Sequence, residues 1–500
     1  MARRVAFVAA LVAVLVDAGW TLALVGARLV DEDGAIYWYA AREFAHLRFR
    51  EPFFYGQAYH HLGEAFIAAP VVAAGLPPWL ILPGVSALIG VATWVVLAAL
   101  AWRRGASGLA VLLLGAPLVL PVGYGILLQR FFGMGLLLVV LGVWLLDGAT
   151  SSRRSAAAGF LVTLGVGLVP SSLLPAAAGL AWVAIGGGGV LPWRGLLGGA
   201  AAAVAVVGLG KVFHLLDPAW AVHPAPAIHA SWNLFASGVR DLPRHLGRVT
   251  PRAVFHPGVM LGVVAGVGVA ASFRRRWDVA IPAAIASIGT LLALAVDKAH
   301  EGTSSVFFAY ERMFLGFPVA IGILAVAAAG AWRGWASARA AILCMFAVIA
   351  IAGVRWISLP GDVGAELADR RIVLDLGEVE GAVAACAKAE AAARAEGTDL
   401  VLYLAHRTLA YTCGALAYGR VGTLYPLYER RTWIIREEAD RKREVFVVPD
   451  VDAGSVCPVI LARVPGSSCG TGTLGVMVVR STPISAVDLA RALGVPVRRY

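Results

Sequence analysis

Three acids in a row, Asp31, Glu32 and Asp33, follow the first hydrophobic stretch of the chain. Like charges crowded together favour keeping a proton on one of them. Such a set suits a general base or the oxygen ligands of a divalent cation. The ordinary alternative is a solvated loop that ends a helix. The neighbours weigh against it. Tyr37, Trp38, Tyr39, Phe53, Phe54, Tyr55 and Tyr59 come next in the sequence, with Gln57, His60, His61 and Glu64 among them. An interfacial aromatic belt accounts for some of the rings. It does not account for the amide, the imidazoles and the acid, whereas aromatic faces and polar side chains together suit a sugar ring.

Far downstream, FFAYERMFLGFP at 307–318 carries Tyr310 and Arg312. A guanidinium there suits a phosphate leaving group, because its planar fork of donors matches the oxygens on which charge develops. Its ordinary reading is an interfacial anchor that snorkels. Arg240, Arg244, Arg248 and Arg252 recur at a spacing of four. That spacing would stack them on a helix, but Pro243 and Pro251 argue against one continuous helix. Either they form a solvated basic loop or, with Arg244 as the named candidate, they hold a phosphate. The histidines at 60, 61, 214, 223, 229, 245 and 256 show no zinc spacing, and Gly186 to Gly189 is a turn, since no Gly-Lys-Ser/Thr follows.

The elements that must position these residues are membrane helices. The 500 residues are 59% hydrophobic and 15% charged, far from a soluble composition. A bilayer core needs about 20 apolar residues per helix. By run length eleven segments qualify: 5–27, 79–101, 106–121, 131–147, 155–170, 172–191, 195–216, 253–272, 279–296, 312–330 and 340–359. The net charge of +11 is therefore a matter of topology, with no nucleic-acid partner implied. Arg3 and Arg4, Arg103 and Arg104, Arg153 and Arg154, Arg194, Arg274 to Arg276, and Arg333 with Arg339 fall on one side. The positive-inside rule makes that side, and the amino terminus, cytoplasmic. The first span reads as an uncleaved helix in a plasma or inner membrane, with Asp17 turned to the bundle interior because a carboxylate facing lipid is costly. The alternation holds only if 62–77, with Glu64 and Gly75-Leu-Pro-Pro, stays a half-inserted helix.

Regions 28–64, 217–252 and 297–311 then face outward, as does the tail 360–500, which begins at Pro360-Gly361. The domains are thus 1–359, in the membrane, and 360–500, outside the cytoplasm. The tail reads as a small α/β domain: a helix over 378–396 ended by Gly397, strands at 400–405, 445–449 and 474–480, and a final helix over 485–493 capped by Ser485. Cys386, Cys413, Cys457 and Cys469 could form disulfides outside the cytoplasm. Of three pairings, one joining Cys457 to Cys469 comes first, and free thiols are the alternative.

In order along the chain stand Asp31-Glu32, Tyr55-Gly56-Gln57-x-Tyr59, Glu64-Ala65, Ala68-Ala69-Pro70 and Gly75, then Arg312 and Pro318. This layout, over roughly residues 1–360, resembles the GT-C glycosyltransferases, in particular the bacterial branch similar to protein O-mannosyltransferases and aminoarabinose transferases. Met313 departs from the tyrosine usual after the arginine. The resemblance implies a polytopic helical GT-C-like fold and an inverting transfer of a sugar from a polyprenyl-phosphate carrier to a lipid, glycan or protein acceptor. Asp31 would be the base. Glu32 would orient it or help it hold a divalent metal, and no other cofactor is implied. Tyr37, Tyr55, Gln57, Tyr59, His60, Glu64, Arg244, Tyr310 and Arg312 would bind donor or acceptor. The rival is a transporter or lipid flippase, for which Asp17 is a hint and the lack of an internal repeat a counter-argument.

Overall fold

The computed structural model describes residues 1–57, 60–149, 151–186, 192–216, 227–254, 256–329, 337–368, 377–404, 406–427, 430–431, 433–434, 441–449, 451–472 and 475–497. Tyr59, His223, Arg333, Gly187 to Gly189 and the start of the 217–252 region lie outside the described residues, as does the His214 side chain. The chain packs as two units: residues 1–26, 83–209 and 227–372 form one, and residues 27–82, 210–226 and 373–500 the other.

The first unit is helical. Each of the eleven expected segments contains a helix. Among the described residues, six helices are long and apolar enough to cross a bilayer: Ala2–Gly26, Pro78–Arg103, Val122–Leu146, Trp193–Phe213, Tyr310–Ala329 and Ala338–Ala368. The other five are shorter, from the 13 residues of Ser107–Val119 to the 17 of Pro257–Phe273. Six candidate spans thus meet the length criterion among the described residues, where hydropathy runs suggest eleven. The last long helix also runs through Pro360 to Ala368, past the expected end at 359. It packs on Ala2–Thr21 and Ser107–Val119. Asp17 does face the interior, where Arg355 Nε meets its Oδ1 at 2.7 Å. Between Ser152–Leu168 and Trp193–Leu216 backbones almost touch. A side chain at Gly195 would strike the Ser152 carbonyl and one at Gly199 the Ala156 carbonyl, the close approach that small residues four apart permit in membranes.

The second unit holds the strands. β1 (Leu29–Val30) pairs antiparallel with β2 (Gly377–Glu378). A five-stranded mixed sheet has the order β4-β3-β5-β7-β6, with β3 at Leu400–Leu402, β4 at Gly422–Leu424, β5 at Lys442–Pro449, β6 at Ser467–Gly472 and β7 at Gly475–Ser485. β3 runs parallel to β4 and β5, and β7 antiparallel to β5 and β6. Helices Val379–Ala395 and Arg407–Leu416 bury Cys386, Ala393, Ala410 and Cys413 against Val401, Tyr403 and Val447 of the sheet. Gly397, at φ +68°, ends the first of these helices. The Ser485 side chain accepts the Asp488 N–H and starts the last helix. Disulfides join Cys457 to Cys469, as expected, and Cys386 to Cys413. Helix Gly63–Ala73 has 11 residues, too few to cross at about 1.5 Å each.

Candidate functional site

The three acids open a helix; they do not lie in a solvated loop. Asp31 is extended, at φ −119° and ψ 179°, and its Oδ1 accepts the Gly34 N–H at 2.9 Å, which caps Glu32–Ala45. Acids in a first turn also favour the positive end of the helix dipole. Asp31 and Glu32 are both buried.

Glu32 is gripped by two arginines of the tail. Its Oε2 is 2.7 Å from Arg407 Nε and its Oε1 is 3.0 Å from Arg430 Nε, while Arg430 Nη1 reaches Asp33 Oδ1 at 2.5 Å. Burial pushes the Glu32 carboxyl up to about 7; Arg430 pulls against this, Asp33 adds to it, Arg407 opposes it and Asp31 adds to it again. Arg407 begins the helix Arg407–Leu416, which packs on Glu32–Ala45. Arg430 is fixed by its own backbone N–H, which donates to the Tyr411 hydroxyl at 2.8 Å. Gly56, at φ +76°, lies so close that a side chain there would meet the Arg430 backbone at 3.0 Å. Arg431, fully buried, lies between the rings of Tyr39 and Tyr411 and donates to Thr423 Oγ1 at 3.2 Å.

The aromatic residues divide into two groups. The Tyr37 hydroxyl donates to the His61 carbonyl at 3.0 Å, and His60 Nε2 lies 2.8 Å from the same hydroxyl. Burial first, then the Glu64 and Asp33 charges, hold the Tyr37 phenol far above its ordinary range. The Tyr55 hydroxyl donates to Glu43 Oε2 at 2.9 Å, and its ring meets Trp433 edge-on at 4.5 Å. Gln57 is half-buried, and its N–H donates to the Phe54 carbonyl. Sequence reasoning missed Glu43, Arg407, Arg430, Arg431 and Trp433. The signal available was Arg430-Arg431 inside an aromatic run, an improbable place for two cations without partners.

In the helical unit, Tyr310 and Arg312 share the 3-10 turn Tyr310–Phe314. Arg244 lies over the Tyr310 ring at 3.9 Å. Arg312 lies over Phe308 at 3.8 Å and donates to the Glu301 carbonyl at 3.3 Å; Lys298 pairs with the Glu301 side chain. His245 is buried edge-on against His300 at 4.7 Å and Tyr310 at 5.9 Å. Burial pushes it down to about 4, helped by His300 and Arg244. The four spaced arginines split as the prolines predicted, with separate helices at Trp232–Arg240 and Leu242–Leu246. Arg248 binds Glu311 at 3.0 Å and Glu366 at 2.8 Å, and Arg252 binds Asp362 at 2.6 Å. Those two hold the fold, and Arg244 is the one stacked beside Arg312's turn.

The residues fit a metal poorly. Each Glu32 oxygen faces a guanidinium, so a cation would have to displace an arginine. Among the described residues no group of three His, Cys, Asp or Glu side chains could hold a metal ion.

No family model matches this sequence, and no curated protein does. Among solved structures, the chain is similar to the crystal structure of ArnT from Cupriavidus metallidurans in the apo state. The likeness covers 94% of this chain and 96% of that one, at 14% identity and a TM-score of 0.38.

Proposed function

We propose that the chain is a membrane glycosyltransferase of GT-C type that moves a sugar from a polyprenyl-phosphate carrier to an acceptor hydroxyl at the extracytoplasmic face. One observation carries the assignment of roles. Asp31 caps, through the Gly34 amide, the helix whose first turn is engaged at Glu32 and Asp33 by tail arginines. Asp31 is then the base, and Glu32 is the anchor that fixes the helix start beneath it. Asp31 takes the acceptor's hydroxyl proton as that oxygen bonds to the anomeric carbon. The bond from that carbon to the phosphate oxygen breaks on the opposite face, which inverts the centre. Arg312 and Arg244, which meet at the Tyr310 turn of the helical unit, are the candidates for binding a phosphate by their own chemistry. Tyr37, His60, Glu64, Tyr55 and Gln57 shape the sugar and acceptor subsites. The two disulfides support a tail outside the cytoplasm.

The test is the full chain in lipid nanodiscs with labelled polyprenyl-phosphate sugars, with and without a chelator. Release of label onto an acceptor, insensitive to chelation, supports the reading. The buried Asp17–Arg355 pair favours the rival transporter or flippase. Flux in reconstituted vesicles with no transfer product would establish that rival.

A further inference from the structure

At one end of the helical unit, arginines outnumber the acids they meet. Asp147 closes the helix Gly133–Leu146. Its Oδ1 pairs with Arg104, and its Oδ2 lies 3.9 Å from Arg103 Nη2. Its carbonyl accepts from Arg103 Nη2 at 3.1 Å and from Arg154 Nη2 at 3.3 Å. Arg276 holds Asp278 at 2.8 Å, and Asp278 lies within electrostatic reach of Arg104. Four guanidiniums thus face two carboxylates.

Helix capping explains part of this. The last carbonyls of a helix lack partners within it, and Arg103 donates to those of Trp144 and Asp147. Capping needs donors; it does not need the surplus charge. Three cations gathered on one aspartate repel one another, and an anion from outside relieves that repulsion.

The cations face outward and the acid faces in. The Asp147 side chain is 8% exposed, whereas those of Arg103 and Arg104 are 37% and 36% exposed. Each of these two is braced by a ring: Arg103 lies over Trp144 at 5.1 Å and Arg104 over Trp182 at 4.9 Å. A guanidinium stacked on a ring keeps its fork of donors in its own plane, the geometry that matches phosphate oxygens. Two helices long and apolar enough to cross a bilayer, Pro78–Arg103 and Val122–Leu146, end here. The cluster therefore lies where such spans would leave the hydrocarbon, the depth of lipid headgroups and of interfacial tryptophans.

We propose that Arg103, Arg104 and Arg154 bind the phosphate of an anionic phospholipid seated against these helix ends. The surplus of positive charge selects an anionic headgroup over a zwitterionic one. The proposal is independent of the transferase reading.

The test titrates the full chain in detergent with phosphatidylglycerol or phosphatidylcholine and reads bound lipid by native mass spectrometry. The wild type holds phosphatidylglycerol about 30-fold more tightly, the effect of two surplus charges. Arg104→Gln lowers that preference about fivefold, and Asp147→Asn, which removes the competing carboxylate, raises it by a similar factor. A folding defect cannot imitate that gain. Arg153→Gln, the same charge change at an exposed neighbour, leaves the preference within about twofold. No preference in the wild type, or equal losses in Arg104→Gln and Arg153→Gln, would overturn the proposal, the second by assigning the effect to diffuse surface charge. Displacement of phosphatidylglycerol by equimolar inorganic phosphate would overturn it too, in favour of a soluble anion.

Discussion

Arg430 sets its Nε 3.0 Å from Glu32 Oε1 and its Nη1 2.5 Å from Asp33 Oδ1. One tail arginine thus clamps the first turn of the helix that Asp31 caps. Arg407 holds the other Glu32 oxygen, and Asp31 caps the same helix through the Gly34 amide.

This division predicts unequal effects on stability. Glu32→Gln removes the charge that Arg407 and Arg430 share, Arg430 keeping Asp33, and the variant melts below the wild type. Asp31→Asn keeps an N-cap residue of equal quality, so the helix start is retained and the variant loses less stability than Glu32→Gln. Thermal melting of the two purified variants checks this; a Glu32→Gln protein that melts with the wild type contradicts the anchoring role.

Arg312 and Arg244 are predicted to act on the donor. Arg312→Ala lowers kcat/KM for the polyprenyl-phosphate sugar by about 100-fold, the scale of losing one donor to developing charge. Arg312→Lys recovers part of the loss, since it restores charge without the fork. Arg244→Ala loses less, mainly in KM. Unchanged kinetics in all three would remove this turn from the site.

His61 gives a pH dependence with a definite sign. Burial, with His60 adding, pushes it from 6.5 down to about 4. The unfolded chain therefore takes up a proton between those values and the folded chain does not. Stability is full above about 6.5 and falls as pH drops toward 4, by up to about 3 kcal/mol. Melting curves against pH should flatten in His61→Asn over that window; an identical acid loss in the variant would assign the effect to another group.

Local signals were legible where local physics decides. Each of the eleven apolar runs contains a helix, Gly397 and Ser485 marked helix ends, and the short Cys457–Cys469 loop marked one disulfide. What escaped was long-range. Arg407 and Arg430 meet Glu32 through the packing of helix Arg407–Leu416 on Glu32–Ala45, and no periodicity records such a meeting. Strands β4 and β6 escaped because each is short and carries glycine. The break at Leu128–Phe132 escaped because its sequence, LQRFF, contains neither proline nor glycine.

The most direct test of the central claim is sugar transfer by Asp31→Asn in nanodiscs, measured beside its melting temperature. The account predicts turnover reduced about 1,000-fold, within the range for loss of a general base, in a protein that inserts and melts closer to the wild type than Glu32→Gln does. Near-normal turnover would contradict it and take Asp31 out of the chemistry.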